Sequence, residues 1–357
     1  MRVVYYSFGG RYSDNPRAIY EALSDRDDVT HLWVANPDHA HGFPPGVDTV
    51  QFRTRACVDA LESADLVIAN THIDVRWTKR PGSRYLQTWH GTPLKRIHFD
   101  AVWAAPGRVE NVVPDVLRWD YLLSPNAYST EAMRGAFRYD GEVLETGSPR
   151  NDVLSAGDPA ATRARVRREL GIEDGVTAVF YTPTWRDDIV DDDGEQAFNL
   201  ELDIDEFVNE LGSDHCLLLR AHYIVTGQLV PVDDPAVRDV SYYPDIRDLY
   251  LAADVLVTDY SSTMFDFAVT GKPMLFYTYD LSHYRDQVRG FYLDFVAEAP
   301  GPLYETTWEL VEGLRDVAAV REKHGERYER FQEKFCYLDD GHATERVIER
   351  LIPPPPA

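Results

Sequence analysis

Cysteine is scarce in this chain: three residues in 357, Cys57, Cys216 and Cys336, far apart and without metal-ligand spacing. An odd, scattered set of thiols excludes a disulfide-stapled scaffold and a structural zinc site, and it fits a reducing cytosol. Positive charge is also short. Lys and Arg number 36 against 60 Asp and Glu, a formal charge of −24. Without a basic excess to displace phosphate counterions, nucleic acid is excluded as a partner, and so is broad adhesion to an anionic bilayer. No apolar run reaches the ~18 residues of a membrane span. The chain opens directly on strand-like Arg2-Val3-Val4-Tyr5-Tyr6-Ser7-Phe8, so no signal peptide is expected. A cytoplasmic location follows as the expectation, with at most peripheral attachment at the inner face of the membrane. Three fingerprints are missing too. There is no G-x-G-x-x-G, Gly271-Lys272 lacks the upstream glycine of a P-loop, and no G-x-S-x-G elbow occurs. Ser261 and Ser262 are therefore not read as hydrolase nucleophiles.

What is present is a long alternation of elements. Short apolar runs at Val3–Phe8, Thr30–Ala35, Asp65–Asn70, Tyr85–Thr88, Tyr121–Leu123 and Glu142–Thr146 read as strands, with helical spacing at Pro16–Ser24 and Ser129–Phe137. After a polar break at Gly147–Pro159 the pattern restarts, with strands expected at Thr177–Tyr181, Cys216–Arg220, Val237–Ser241, Asp254–Thr258 and Met274–Phe276. Helices are expected at Ala160–Leu170, Asp203–Leu211, Asp245–Ala252, Ser262–Thr270 and through much of Thr306–Leu351. Such alternation builds parallel α/β units. The expected architecture is α/β: two doubly wound, Rossmann-like domains facing a cleft, with ligands beyond the C-terminal strand ends. The boundaries read as 1–150, 151–340, and a C-terminal helix with a Pro-rich tail at 341–357. The acidic stretch Asp187–Glu195 reads as a loop, expected to be mobile without substrate and to help cover the site.

Polar clusters at strand ends carry the chemistry. Gln87-Thr88-Trp89-His90-Gly91-Thr92-Pro93-Leu94-Lys95 presents His90 as a candidate base, with Gly91 allowing close backbone approach and Thr92 in support. Gly147-Ser148-Pro149-Arg150-Asn151-Asp152 places Arg150 at the domain break, facing the cleft. Tyr181-Thr182-Pro183-Thr184-Trp185-Arg186-Asp187 brings Thr184 and Arg186 to a strand end, and Leu219-Arg220-Ala221-His222 brings a second histidine. Thr258-Asp259-Tyr260-Ser261-Ser262-Thr263-Met264-Phe265-Asp266 sets two hydroxyls at a strand-to-helix junction, where a side chain can cap the helix and backbone N–H groups suit an anion.

Taken together and in this order, these segments resemble the CDP-glycerol glycerophosphotransferase family, the polyol-phosphate transferases and polymerases of teichoic acid and capsule synthesis. Thr278-Tyr279-Asp280, Tyr284-Arg285, Arg289-Gly290-Phe291-Tyr292 and Asp339-Asp340-Gly341 extend the match, which covers roughly 85–350. The resemblance implies a GT-B fold and transfer of a polyol phosphate, glycerol first and ribitol next, from a CDP-polyol to an acceptor hydroxyl with release of CMP. It implies His90 as catalytic base, His222 as a second essential histidine near the donor pyrophosphate, and Ser261, Ser262 and Asp266 as donor-binding. Arg150 and Arg186 match motif positions assigned to the donor side. The acceptor would be a polyol or glycan, lipid-linked in well-known members. No cofactor is required beyond the donor substrate; Mg²⁺ and the oligomeric state are left undecided. The alternatives are a GT-B glycosyltransferase using a nucleotide sugar, or a binding protein that has kept the fold without the activity.

Overall fold

A computed structural model describes residues 1–101, 109–184, 186, 188, 200–221 and 234–354. His222 and, apart from Asp188, the acidic stretch after Arg186 lie outside the described residues. The chain divides into two compact units, Met1–Pro93 with Ile97–Asp152 and Tyr337–Ala357, and Leu94–Arg96 with Val153–Cys336.

The first unit is built on a parallel sheet of seven strands: β1 Arg2–Tyr6, β2 Thr30–Ala35, β3 Thr49–Gln51, β4 Leu66–Ala69, β5 Arg84–Gln87, β6 Tyr121–Ser124 and β7 Glu142–Glu145. Their order is β3-β2-β1-β4-β5-β6-β7, so the winding reverses between β1 and β4. Side-chain alternation along β1 explains the layers. Val3 and Tyr5 pack with Ile19, Leu23, Trp33 and Ile68 on one face, while Val4 and Tyr6 pack with Cys57, Leu61, Val67 and Tyr85 on the other. Both faces are covered, as a parallel sheet requires.

The end of the chain completes this unit. Helix Ala343–Leu351 puts Val347 and Leu351, four residues apart, into the layer that holds Ile19 and Leu23. The carboxylate of Asp152 caps it, accepting from the Ala343 N–H at 2.9 Å and the Thr344 N–H at 2.8 Å. Arg346 Nη1 donates to the carbonyls of Thr146 and Leu338, at 2.7 and 2.9 Å. Asp339 accepts from the Ser148 N–H at 3.0 Å. Segments 147–152 and 338–344 thus form one joint, and the C-terminal helix is a core layer of the first unit, where the sequence had set it apart from residue 341.

The second unit holds β8 Thr177–Thr182, β9 His215–Leu219, β10 Val237–Asp239, β11 Val255–Thr258, β12 Met274–Tyr277 and β13 Leu303–Tyr304. They are all parallel, in the order β10-β9-β8-β11-β12-β13, with the reversal between β8 and β11. Its core gathers Val179, Tyr181, Phe207, Leu217, Val257, Leu275, Leu310 and Leu314. Gly271-Lys272 is at the opposite, N-terminal edge, just before β12. Lys272 Nζ donates to the carbonyls of Tyr250, Leu251 and Ala253 at 2.9, 2.8 and 2.7 Å, capping the helix Ile246–Ala252 as a cation should. The two strands that the sequence pattern missed, β3 and β13, are edge strands of three and two residues, too short to show an alternation.

The joint yields a prediction. Gly147 has a φ of +83°, and a Cβ there would lie 2.4 Å from the Leu338 carbonyl oxygen. Gly147→Ala should cost about 1–3 kcal/mol from the backbone conformation alone. It should lower the melting temperature and make residues 337–354 the first site of limited proteolysis; a wild-type melting curve and cleavage pattern would contradict this account of the joint.

Candidate functional site

In the first unit, the ends of β1, β4 and β5 converge where the strand order reverses. The Phe8 N–H donates to Asn70 Oδ1 at 3.1 Å, and the ring of His90 lies 5.2 Å from that of Phe8. His90 Nδ1 is 2.8 Å from the Asn70 carbonyl oxygen. A carbonyl only accepts, so Nδ1 carries the proton and Nε2 keeps the lone pair. The turn that delivers this imidazole is strained: Trp89 sits at a left-handed φ of +49°. Side-chain bonds hold it there, because the Trp89 N–H donates to Gln87 Oε1 at 3.0 Å and Asn15 Nδ2 donates to the Trp89 carbonyl at 3.2 Å.

Arg150 belongs to this cluster, in the first unit with His90; Ser261, Ser262 and Asp266 belong to the second. Its guanidinium is buried and pairs with Asp14, Nη1 to Oδ2 at 2.7 Å, the two side chains only 8% and 10% exposed. The Arg150 N–H donates to Asn15 Oδ1 at 3.0 Å. The space that a glycine leaves at 91 is taken by this guanidinium, since a Cβ there would meet Arg150 Nη2 at 2.4 Å. Thr92 is buried and accepts from Asn126 Nδ2 at 3.1 Å and from the Ser129 hydroxyl at 3.2 Å, tying the His90 turn to the helix Ala127–Phe137.

Two more histidines line the aromatic side of the cluster. His72 stacks on Trp119 with centroids 5.4 Å apart, and its Nε2 is 3.4 Å from His98 Nε2. Desolvation pushes His90 down to about 4; the Asn70 carbonyl and Asp14 oppose the shift, and Arg150 and His72 add to it. His98 is pushed down to about 3 by the same burial, with His72 and His90 adding. Both rings are neutral at pH 7.

In the second unit the ends of β8, β11 and β12 converge on Arg186, only 4% exposed. Its Nε and Nη2 hold the two oxygens of Asp280 at 2.7 and 2.9 Å, and Nη1 donates to Asp259 Oδ2 at 2.9 Å. The rings of Tyr260, Tyr279 and Tyr284 surround the guanidinium, with centroids 4.8 to 5.2 Å away. Asp259 also accepts from the Thr184 N–H at 2.9 Å, and Tyr260 Oη donates to Asp280 at 2.9 Å. This hub fixes the residues just ahead of Ser261 and Ser262. Ser262 is the N-cap of helix Thr263–Ala268 but makes no side-chain capping bond; Ser261 Oγ accepts from the Thr263 N–H at 3.2 Å. Asp266 is buried within that helix. Arg220 directly follows β9 and donates to the Val240 and Tyr243 carbonyls at 3.0 and 2.8 Å, two positions ahead of His222 in the sequence. Among the described residues, no group of three or more His, Cys, Asp or Glu side chains is placed to hold a metal ion.

Residues 1–353 match the profile of the family described as CDP-Glycerol:Poly(glycerophosphate) glycerophosphotransferase. The chain belongs to this family. It is similar to the teichoic acid glycerol-phosphate transferase of Staphylococcus aureus, 39% identical over 98% of this chain and 92% of the relative. It is 38% identical to the teichoic acid poly(glycerol phosphate) polymerase of Bacillus subtilis, over 98% of this chain but 48% of that polymerase, so it spans about half the length of that relative. A structure of the wall teichoic acid polymerase TagF, in a histidine-to-asparagine variant soaked with CDPG, matches with a TM-score of 0.90 at 35% identity, covering 98% of this chain and 88% of that one. The fold of this family member is accordingly of GT-B type, with two Rossmann-like units.

The sequence reading missed Asp14, Asn15, Asn70, His72 and His98. Ser13-Asp14-Asn15-Pro16 has the composition of an ordinary helix start, and the histidines stand alone in sequence; nothing local marks their meeting with His90.

The depressed histidines set a pH dependence. For a histidine whose folded pKa lies below its unfolded value of about 6.5, the unfolded chain takes up the proton first. Its contribution to stability is complete above about 6.5 and is lost as pH falls toward 4. Denaturant unfolding should therefore show stability falling between pH 6.5 and 4, and a smaller fall in His98→Phe. An identical pH dependence in that variant would show that His98 is not buried as described.

Proposed function

We propose that this chain transfers glycerol phosphate from CDP-glycerol to an acceptor hydroxyl and releases CMP, in the synthesis of a teichoic-acid-like cell-surface polymer. One observation carries the reading. His90 has its Nδ1 proton committed to the Asn70 carbonyl, which leaves a neutral imidazole with its Nε2 lone pair as the remaining basic nitrogen at a reversal of strand order. In the proposed reaction the acceptor oxygen attacks the phosphorus that bears the glycerol, and its proton passes to His90 Nε2. The bond from that phosphorus to the bridging oxygen breaks, and CMP leaves with the bond's electron pair. A base of this kind contributes about 10²–10⁴-fold in rate.

The donor is assigned to the second unit. Ser261, Ser262 and Asp266 stand beyond the end of β11 beside the β8/β11 reversal, where doubly wound sheets bind nucleotides. His222 follows β9 in the sequence and is assigned to the donor pyrophosphate by the family resemblance. Arg186 is spent on Asp259 and Asp280, so we assign it to holding the Ser261-Ser262 segment in place and lending positive potential, with Thr184 bound into the same hub. Arg150 is assigned to the His90 side.

Glycerol is favoured over ribitol because the relatives at 38–39% identity are named for glycerol phosphate, while a Bacillus spizizenii teichoic acid poly(ribitol-phosphate) polymerase is 30% identical over 59% of this chain. The acceptor is assigned as a polyol or glycan carried on a lipid, reached from the inner face of the membrane by peripheral contact. No helix among the described residues is long and apolar enough to cross a membrane.

The test is CMP release from CDP-glycerol and CDP-ribitol, run beside a panel of nucleotide sugars. Sugar transfer without CMP release would overturn the reading in favour of a glycosyltransferase. His90→Ala should lower turnover by about 10²–10⁴-fold with donor affinity unchanged; near-normal turnover in a folded variant removes His90 from the mechanism. Replacing Ser261 and Ser262 together by Ala should raise the dissociation constant for CDP-glycerol and leave the fold intact. Unchanged donor binding would place the pyrophosphate elsewhere.

A further inference from the structure

Asp14 is a constrained charged residue of the His90 cluster. It occupies a left-handed φ of +63°, a conformation that Asp and Asn tolerate and most other side chains do not. From there one carboxylate oxygen accepts from the Asn15 N–H at 2.8 Å and the other takes Arg150 Nη1 at 2.7 Å. Asn15 in turn grips both strand-end turns, donating to the Trp89 carbonyl and accepting from the Arg150 N–H. The far nitrogen of the guanidinium lies against Gly91, the residue after the base, at a distance that admits no Cβ. The backbone strain at Asp14 is compensated by contacts that all lead to the His90 turn.

We propose that Asp14 is a positioning residue for His90: its carboxylate holds the Arg150 guanidinium against the Gly91 peptide and so fixes the turn that presents the imidazole. The inference rests on His90 as the base of the proposed transfer. The same pair sets the field at the ring. Among the described residues, the charged and titratable groups that act on His90 are Asp14 from the helix Asp14–Leu23, Arg150 after β7 and His72 after β4, with His98 beside His72. Asp14 favours the imidazolium, and Arg150 and His72 oppose it. Removing the carboxylate takes this ion pair away from a buried arginine next to the base.

The experiment uses the full chain with labelled histidine, following His90 by NMR through a pH titration in the wild type, Asp14→Asn and Gly91→Ala. Asp14→Asn keeps a side chain suited to the left-handed backbone and removes only the charge. His90 should then titrate lower by up to about one pH unit, as for loss of a nearby opposite charge. Turnover should fall about 2- to 100-fold, the range for residues coupled in one network, with the KM for CDP-glycerol unchanged. Gly91→Ala displaces the guanidinium from the other side, so its loss and that of Asp14→Asn should be less than additive in the double variant. A wild-type His90 titration in a folded Asp14→Asn protein overturns the proposal, as do fully additive losses. Should Asp14→Asn fail to fold, an unperturbed His90 signal in Gly91→Ala overturns it equally. If the wild type releases no CMP from any CDP-polyol, the proposed function has failed, and the titration still decides whether Asp14 governs His90.

Discussion

Burying a guanidinium costs several kcal/mol of desolvation, and that cost is recovered only when carboxylates and carbonyls surround it in good geometry. Each of the two strand-end clusters is organised around one such group. In the first unit the Arg150 guanidinium is held by Asp14, and its backbone N–H donates to the Asn15 side-chain oxygen. In the second, Arg186 is held by Asp259 and Asp280 inside a cage of three tyrosines. Because a buried arginine cannot be left unpaired, these bonds fix the loops that carry their partners. The order that regular hydrogen bonding gives to strands is thereby extended into the turns beyond them.

This constraint accounts for the distribution of strain and of charge. Trp89 and Asp14 adopt left-handed backbone conformations that isolated residues avoid; hydrogen bonds to Gln87 and Asn15 hold the first, and bonds from the Asn15 N–H and Arg150 hold the second. Basic residues are scarce overall, yet Arg150 and Arg186 sit inside and are paired, so the positive charge of each cluster is held in its interior. At the opposite edge of the second sheet Lys272 does comparable structural duty, neutralising a helix end. Its neighbour Gly271 shows why a Gly-Lys pair alone carries no phosphate-binding meaning.

The joint of segments 147–152 and 338–344 makes a similar point about motifs. Read as strings, Gly-Ser-Pro-Arg-Asn-Asp and Asp-Asp-Gly look like two functional signatures. In the fold, Gly147, Ser148 and Asp152 serve mainly to dock the C-terminal helix, and Arg150 alone turns toward the histidine.

The sequence by itself determined the two parallel α/β units, because strands buried on both faces must be continuous apolar runs and the helices between them must carry an apolar stripe. It also determined that His90, Arg186, Ser261 and Ser262 follow strands, since polar residues directly after such runs have to leave the sheet. Short edge strands such as Thr49–Gln51 were not legible, having no period to read. Only the tertiary structure decided which partners those residues meet. That His90 keeps its Nε2 lone pair, that Arg150 is paired with Asp14, and that the last helix belongs to the first core all depend on contacts between residues from 20 to about 200 positions apart. Such contacts leave no periodic trace in a single sequence, because they are set by the order in which strands lie side by side and not by the order in which they are written.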